Sequence, residues 1–160
     1  MDQNMTVPCG SGLINIRAGA IIMKDGKILM AGNDIHPEYM YTIGGRIQFG
    51  ETAEEAIRRE VYEETGVKME PERLGFIHEG YFISDLEGYP GVPVYEINFY
   101  FYMKMPEDFE PVQRFFREDG HEEYLRWLTL DDPIFFFPEF FREELRHPQP
   151  GVKHFVTDDR

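Results

Sequence analysis

Residues 44–67, GGRIQFGETAEEAIRREVYEETGV, constrain the fold more than any other part of the chain, because they specify both ends of a helix. Thr52 and Glu55 have the spacing of a capping box, in which each side chain bonds the backbone amide of the other residue. A helix is therefore predicted to start there. Gly66 suits the left-handed backbone position at which a helix ends.

The apolar face of this helix is interrupted by glutamates. On a helical wheel the face is defined by Ala53, Ala56, Ile57 and Val61. Glu60 and Glu64 fall in its middle and Glu63 at its edge, whereas Arg59 points away from it. Because the three glutamates are spaced i, i+3 and i+4, their carboxylates are expected to converge, and they repel one another unless a counter-charge is present.

A divalent cation would resolve both the burial and the repulsion of these carboxylates. Buried charges cost free energy unless they are paired, and Mg²⁺ takes oxygen ligands, keeps waters and adds substrate phosphates. The alternative is a solvated charged helix whose acids pair with arginines four residues away. Ahead of the helix, Gly44, Gly45 and Gly50 let the backbone turn tightly and direct carbonyls or amides at a cation or phosphate.

Composition limits the classes of protein and partner. A chain of 160 residues with 42% hydrophobic and 15% aromatic residues can form one globular domain with a sizeable core. The net charge of −14 repels nucleic-acid phosphates, and small phosphate ligands then need a cation to bind. The single cysteine, Cys9, excludes an internal disulfide, and no signal peptide or membrane-spanning run is recognisable. We therefore expect a cytoplasmic protein that binds neither nucleic acid nor membrane.

Strand patterns surround the helix. Residues 12–23 and KILMAG are predicted strands joined by a turn at Asp25–Gly26. Further strands are predicted at 40–43, 74–84, 92–105 and 125–130, with a second helix at 138–146. Mostly antiparallel strands with two helices indicate one α+β domain over residues 1–160, with a core at about 12–146 and a loose polar tail at 147–160.

The hairpin of the two long strands offers a second carboxylate pair. If the hairpin is symmetric about its loop, Glu79 lies opposite Glu96, and like charges that face each other destabilise a sheet. We therefore predict that this pair helps to bind a cation or a substrate group. The alternatives are an exposed face, or a register slip caused by Pro90 and Pro93.

Residues 45–67 resemble the Nudix box, whose pattern is G-x5-E-x7-R-E-U-x-E-E-x-G-U, with U a bulky aliphatic residue. Every defined position matches at the required spacing: Gly45, Glu51, Arg59, Glu60, Val61, Glu63, Glu64, Gly66 and Val67. A chance match at nine fixed positions is very improbable. The flanking elements extend the resemblance to about residues 12–146, which implies the Nudix α/β/α sandwich with a mixed, mostly antiparallel sheet.

The resemblance implies an enzyme that hydrolyses the pyrophosphate bond of a nucleoside diphosphate linked to another group. Its cofactor would be Mg²⁺, or Mn²⁺ in its place, and its partner a small nucleotide substrate. Nudix enzymes often form homodimers, so the resemblance offers a homodimer as one alternative, and the oligomeric state stays open. The alternative is a catalytically silent Nudix-like module that binds a nucleotide without cleaving it. Such modules usually lose box carboxylates, and this chain keeps them all. The identity of the substrate stays open.

The family pattern assigns roles to individual residues of this chain. The implied metal ligands are Glu60, Glu64 and the backbone carbonyl of Gly44. The implied catalytic group is Glu63, as general base or further ligand, with Arg59 and Glu51 as the pair that orients the loop and the helix. In some members an acid in the loop near Glu122 and Glu123 also contributes a ligand or base.

Overall fold

Strands form most of the regular structure, as the sequence predicts. The computed structural model describes residues 3–85, 88–116 and 120–160. In chain order the elements are β1 (Thr6–Cys9), β2 (Gly12–Ile21), β3 (Met23–Lys24), β4 (Lys27–Asn33), β5 (Tyr39–Thr42), β6 (Gly44–Arg46), α1 (Ala53–Thr65), β7 (Glu70–Ile83), β8 (Pro93–Lys104), β9 (Arg114–Phe116), β10 (Glu122–Thr129), β11 (Phe135–Phe137), α2 (Phe141–Glu144) and β12 (Lys153–Asp159). The chain is therefore of the predicted α+β class.

The strands form two mixed sheets. The first has the order β1-β2-β8-β7-β12, and β6 pairs with β2 beside β1. The second has the order β11-β5-β4-β10-β9, and β3 pairs with β4. Pairing is parallel between β2 and β8, between β7 and β12 and between β5 and β11, and antiparallel between the other paired strands. The predicted mixed, mostly antiparallel arrangement is thus confirmed.

The sheets lie between two apolar layers that each contain one helix. The α1 core contains Ala18, Ala20, Ile22, Leu29, Ala31, Ile57 and Val61 among its buried residues. The α2 core contains Ile21, Ile28, Met30, Phe76, Tyr100, Phe136 and Phe141 among its buried residues. Because successive strand residues point to opposite faces, β2 and β4 contribute to both cores. This layering is the predicted α/β/α sandwich.

Helix α1 has the predicted ends. The Thr52 hydroxyl accepts from the Glu55 backbone N–H at 3.2 Å, and the Glu55 carboxylate accepts from the Thr52 backbone N–H at 2.8 Å. At the other end Gly66 is left-handed, with φ of 76°, and its N–H donates to the carbonyl of Tyr62. None of the helices in the described ranges is long and apolar enough to cross a membrane.

The predicted loose tail at 147–160 is wrong, because its second half is strand β12. This strand pairs in parallel with β7, and the ring of Phe155 stacks on Phe140 at 4.1 Å. Its residues alternate between partly buried and exposed from Lys153 to Thr157. Only Phe155 and Val156 are apolar, so the polar composition concealed this alternation. The second helix is also shorter than the predicted 138–146.

The predicted pairing of Glu79 with Glu96 is also wrong. In the β7–β8 hairpin Glu79 lies opposite Ile97, and Glu96 lies opposite Gly80. The last pair is Ile83 with Pro93, so the connecting loop holds nine residues instead of the eight that the predicted register requires. A shift of one residue moves a side chain to the other face of a sheet. The two glutamates therefore lie on opposite faces.

Candidate active site

Helix α1 and strand β6 position the glutamates of the box. The helix buries Ala56, Ile57 and Val61 and packs against β2 and β6. Glu64 continues the same buried face and is only 6% exposed. The Glu60 side chain is 12% exposed. Both carboxylates therefore lie on the packed face of the helix, as the helical wheel predicts.

Glu64 is bonded to the backbone of the glycine loop. Its Oε2 accepts a hydrogen bond from the Gly44 backbone N–H at 2.9 Å, in buried surroundings. Gly44 has φ of 148°, and a Cβ atom there would lie 2.2 Å from the carbonyl oxygen of Ala18 on β2. Only glycine fits this angle and this space. The carboxylate and the loop are thereby fixed relative to each other.

Glu60 lies directly against the next glycine. A Cβ atom at Gly45 would lie 2.4 Å from Oε1 and 2.6 Å from Oε2 of Glu60. Any other residue at position 45 would displace the carboxylate. Gly44 and Gly45 thus form a cradle in which the backbone of β6 approaches two carboxylates closely.

Arg59 connects the helix to the loop through several hydrogen bonds. Its Nε and Nη2 donate to the two carboxylate oxygens of Glu51 at 2.6 and 2.9 Å. Its Nη2 also donates to the backbone carbonyl of Arg46 at 3.2 Å, and Nη1 donates to Oε1 of Glu60 at 2.6 Å. Glu51 in turn accepts from the Gln48 backbone N–H at 3.0 Å. The predicted pairing of Arg59 with Glu51 is found, in the two-pronged geometry that only arginine provides.

The ion pair keeps both of its members charged. The hydrogen bond from Arg59 holds the pKa of the Glu51 carboxyl below its usual value. The hydrogen bond to Glu51 likewise raises the pKa of the Arg59 guanidinium. The expectation that Arg59 points away from the carboxylate face is wrong, because its long side chain curves back to reach Glu60.

The expected convergence of three carboxylates is not found. The Glu63 side chain is 53% exposed and lies 3.4 Å from Nη1 of Arg59. Within residues 3–85, 88–116 and 120–160, no three His, Cys, Asp or Glu side chains are grouped closely enough to hold a metal ion. Arg59 draws Glu60 and Glu63 toward itself, whereas Glu64 turns to Gly44. Two carboxylates and the glycine backbone form the buried part of the site.

Glu96 is at the centre of a second polar cluster, which the sequence did not reveal. Its Oε1 accepts from the Asn98 side chain at 2.7 Å, and its Oε2 accepts from the Asn15 side chain at 3.4 Å. Nη1 of Arg17 lies 3.7 Å from the same Oε2. The sequence does contain a signal for this cluster, because β2 and β8 are largely apolar and each has polar residues at two alternate positions. Asn15, Arg17, His78, Glu96 and Asn98 are here called the Glu96 cluster.

Glu79 lies on the opposite face and has different partners. Its carboxylate accepts from the Tyr95 hydroxyl at 2.5 Å and contacts Nε2 of His154. The hydrogen bond to Glu79 raises the pKa of Tyr95 to about 12. The two glutamates that the sequence predicted as one binding pair thus belong to separate hydrogen-bond networks.

The other acidic candidates, Glu122 and Glu123, differ sharply in burial. Glu123 is only 3% exposed, although no local pattern predicts a buried carboxylate at this position. Glu122 accepts from Nη1 of Arg114 at 2.7 Å near the surface. Glu123 pairs with Asn33 on β4. It shares a strand face with Leu125 and Trp127, which pack against the α1 core.

The fold is similar to solved Nudix hydrolases. A NUDIX hydrolase from Nitrosomonas europaea has a TM-score of 0.59 and 18% identity, covering 91% of this chain and 79% of its own. An ADP-ribose pyrophosphatase from Streptococcus suis has a TM-score of 0.56 and 16% identity, covering 88% of this chain and 98% of its own. At these identities the similarity shows the fold alone.

Individual relatives match a short segment of the chain, whereas the family model matches most of it. The NAD-capped RNA hydrolase NudC of Vibrio parahaemolyticus is 43% identical over 49 residues, 30% of this chain and 19% of that protein. NudC of Vibrio atlanticus is 47% identical over 49 residues, 30% of this chain and 18% of that protein. This chain thus spans about a fifth of the length of the relatives it matches. The NUDIX domain model matches residues 14–149. The chain therefore belongs to the Nudix hydrolase family.

Proposed function

We propose that this protein hydrolyses the pyrophosphate bond of a nucleoside diphosphate linked to another group, with Mg²⁺ or Mn²⁺ as cofactor. One observation carries the proposal. The carboxylates of Glu60 and Glu64 are nearly buried against Gly44 and Gly45, where an apolar helix face would otherwise pack. Such carboxylates are retained on a packed face when they bind a cation or a partner.

The residues present fit a divalent metal. Mg²⁺ is usually held by one or two carboxylates, several waters and substrate phosphates, so a third protein carboxylate is not required. Glu60 and Glu64 would supply the carboxylates, and the Gly44 carbonyl a further oxygen. The glycine cradle leaves no Cβ atom in the way. When bound, the metal would neutralise phosphate charge and lower the pKa of a water molecule.

The protein's own residues orient the loop and accept a proton. Arg59 and Glu51 tie the glycine loop to the helix, and Arg59 also fixes the rotamer of Glu60. We assign Glu63 as the general base. It is the most exposed of the three box glutamates, so its carboxylate is able to reach a water molecule that attacks the substrate.

The substrate class follows from charge and from relatives. A chain with a net charge of −14 repels free phosphates, which favours a ligand whose phosphates are screened by a cation. The names of two similar proteins, an ADP-ribose pyrophosphatase and an NAD-capped RNA hydrolase, refer to compounds in which a nucleoside diphosphate carries a further group. We therefore place ADP-ribose and NAD first among the candidates.

A substrate panel tests this function. Purified protein is incubated with ADP-ribose, NAD, nucleotide sugars, nucleoside triphosphates and dinucleoside polyphosphates in Mg²⁺ or Mn²⁺, and the products are identified by mass. We expect that one class of these compounds is cleaved, and that the cleaved bond is the one that joins two phosphates. Tight nucleotide binding without cleavage of any compound would contradict the proposal and favour the silent binding module.

A further inference from the structure

One half of the first sheet has an apolar face outside both cores. On β2, Ala18 is buried in the α1 core and Ile16 packs against that core, whereas Ile14 has no place in either core of the described residues. Ile14 nevertheless lies on the same face, because residues two and four apart on a strand point the same way. The α1 core therefore ends part of the way along the sheet, and the apolar face continues beyond it.

Strand register shows how far this face extends across the sheet. Ile14 pairs with Val7 on β1 and with Tyr95 on β8. Tyr95 in turn pairs with Tyr81 on β7. Because paired residues project from the same face of a sheet, these four side chains form one row.

A second row lies beside the first. Ile97 is two residues from Tyr95 on β8 and pairs with Glu79 on β7, which pairs with Val156 on β12. The apolar members of the two rows are called the outer face, and they are Val7, Ile14, Tyr81, Tyr95, Ile97 and Val156. In the described part of the chain, none of the six is part of a core or packs against one.

The outer face is open to solvent on the α1 side of the sheet. Val7 is 51% exposed and Val156 is 60% exposed, and the other four residues are partly exposed. A sheet that faces water on one side normally has polar side chains there. Scattered exposed apolar residues are common, but a contiguous apolar patch larger than a few hundred Å² marks an interaction site. The outer face is therefore an interaction surface.

The charged groups beside the outer face are paired, although the chain as a whole is strongly acidic. Glu79 accepts from the Tyr95 hydroxyl at 2.5 Å and contacts Nε2 of His154. Asp158 accepts from the guanidinium of Arg160 at 2.6 and 2.8 Å. The net charge of the whole chain is −14. Most of the surface therefore repels a second copy, whereas this nearly neutral face does not.

The dimensions of the outer face suit a pair of like faces. Five strands that lie about 4.8 Å apart are roughly 24 Å wide, and residues 77–83 of β7 extend roughly 20 Å along the strand. The face thus measures about 500 Å² on one copy and about 1,000 Å² in a pair, which is the size at which specific interfaces begin. Sheets pack about 10 Å apart, and a helix is about 10 Å in diameter, so α1 of each copy fits beside the partner's sheet.

We propose that the outer face binds the outer face of a second copy, with a two-fold axis that runs across the strands. The interface is isologous, since the same residues meet from both copies. The axis reverses the strand direction of one copy, so the two α1 helices lie at opposite ends of the paired faces. A membrane with anionic headgroups would be repelled by the net charge of the chain. A highly charged protein would find no matching charge on this face.

Sedimentation equilibrium of the purified protein tests the inference, and it does not require that the protein hydrolyses anything. An interface of this size is weak, so we expect a monomer–dimer equilibrium with a dissociation constant on the order of micromolar. Ile97→Lys places a charge in the middle of the outer face and should raise that constant at least about tenfold. Ile35→Lys is the matched control, because Ile35 is 59% exposed and lies outside the first sheet. It should dimerise like the wild type.

Hydroxyl-radical footprinting of the wild type locates the interface without any substitution. Tyr81 and Tyr95 should be oxidised less in concentrated than in dilute solution, whereas Tyr62, which is 50% exposed on α1, should be oxidised equally in both. If Ile97→Lys does not fold by circular dichroism, this comparison decides the question. A wild type that stays monomeric up to submillimolar concentration would overturn the inference. So would a dimer that leaves the oxidation of Tyr81 and Tyr95 unchanged, or one that a folded Ile97→Lys variant forms equally well.

Discussion

Two charged side chains organise two polar clusters on opposite sides of the first sheet, and they do so with opposite signs. On the α1 side the cation Arg59 binds the carboxylates of Glu51 and Glu60. On the other side the anion Glu96 accepts from the amides of Asn15 and Asn98. The first cluster thus places a cation among carboxylates, and the second places a carboxylate among amide donors.

The clusters also differ in how the chain brings them together. Arg59 is eight residues from Glu51 and one residue from Glu60. Asn15 is 81 residues from Glu96 and meets it only through the parallel pairing of β2 with β8. Local spacing therefore encodes the Arg59 network, whereas strand register creates the Glu96 cluster.

The largest effect expected on the α1 side comes from Glu64. Glu64→Gln keeps the size of the side chain and an acceptor for the Gly44 N–H, but removes the charge. We expect kcat to fall by at least about a hundredfold, since losing even an outer partner of a metal ligand costs up to that much. Steady-state kinetics on the substrate found in the panel would measure it.

Glu54→Gln is the matched control on the same helix. Its side chain is 59% exposed and pairs with Arg58 at the surface. For Glu54→Gln we expect kinetics like those of the wild type. The circular dichroism spectrum should be unchanged in both Glu54→Gln and Glu64→Gln. A kcat for Glu64→Gln within a few fold of the wild type would show that the buried carboxylate is structural.

Arg59→Lys should have the next largest effect. Lysine keeps the charge but loses the two-pronged contact with Glu51 and the bond to the Arg46 carbonyl. We expect kcat to fall roughly a hundredfold, as misplacement of about 1 Å does, with a much smaller change in KM. Combining it with Glu51→Gln gives a double-mutant cycle. Strictly additive effects would mean that the pair is not a functional unit.

Metal binding should stabilise the fold, because bound Mg²⁺ neutralises the nearly buried carboxylates of Glu60 and Glu64. At a free Mg²⁺ concentration a hundred times its Kd, the free energy of unfolding should rise by about 2.7 kcal/mol. For a chain of this size that corresponds to roughly 5 to 11 °C in Tm. Thermal melts with and without Mg²⁺ would show it. An unchanged Tm at that concentration would contradict the binding of Mg²⁺ to the folded state in preference to the unfolded chain.

The smallest effect is expected at strand β12, the last strand of the first sheet, whose Phe155 packs against the α2 core. Phe155→Ala removes a partly buried ring that packs against Phe140 and the α2 core. We expect a loss of about 1–3 kcal/mol, below the range for a fully buried phenylalanine. Val156→Ala, at a position that is 60% exposed, should stay within about 0.5 kcal/mol of the wild type. Equal losses in urea unfolding would contradict the docking of β12.

The same contrast explains how much could be predicted from the sequence. The capping box at Thr52 and the helix end at Gly66 follow from short spacings, and both are found. The Arg59–Glu51 pair was implied by the resemblance to the Nudix box, and the structure contains that hydrogen-bonded pair. The position of Glu96 could not be predicted, because one extra loop residue moves it to the other face. Side-chain length also matters, since the wheel gave the direction of the Arg59 Cα–Cβ bond but not the reach of its guanidinium to Glu60.

The dependence of hydrolysis on a divalent cation tests the proposed function most directly. The preferred substrate is incubated with metal-free protein in excess chelator, then with Mg²⁺ restored, and the products are quantified by mass. We predict no turnover in the chelator and full recovery with Mg²⁺. Undiminished hydrolysis in excess chelator would contradict the assignment of Glu60 and Glu64 as ligands of a catalytic metal.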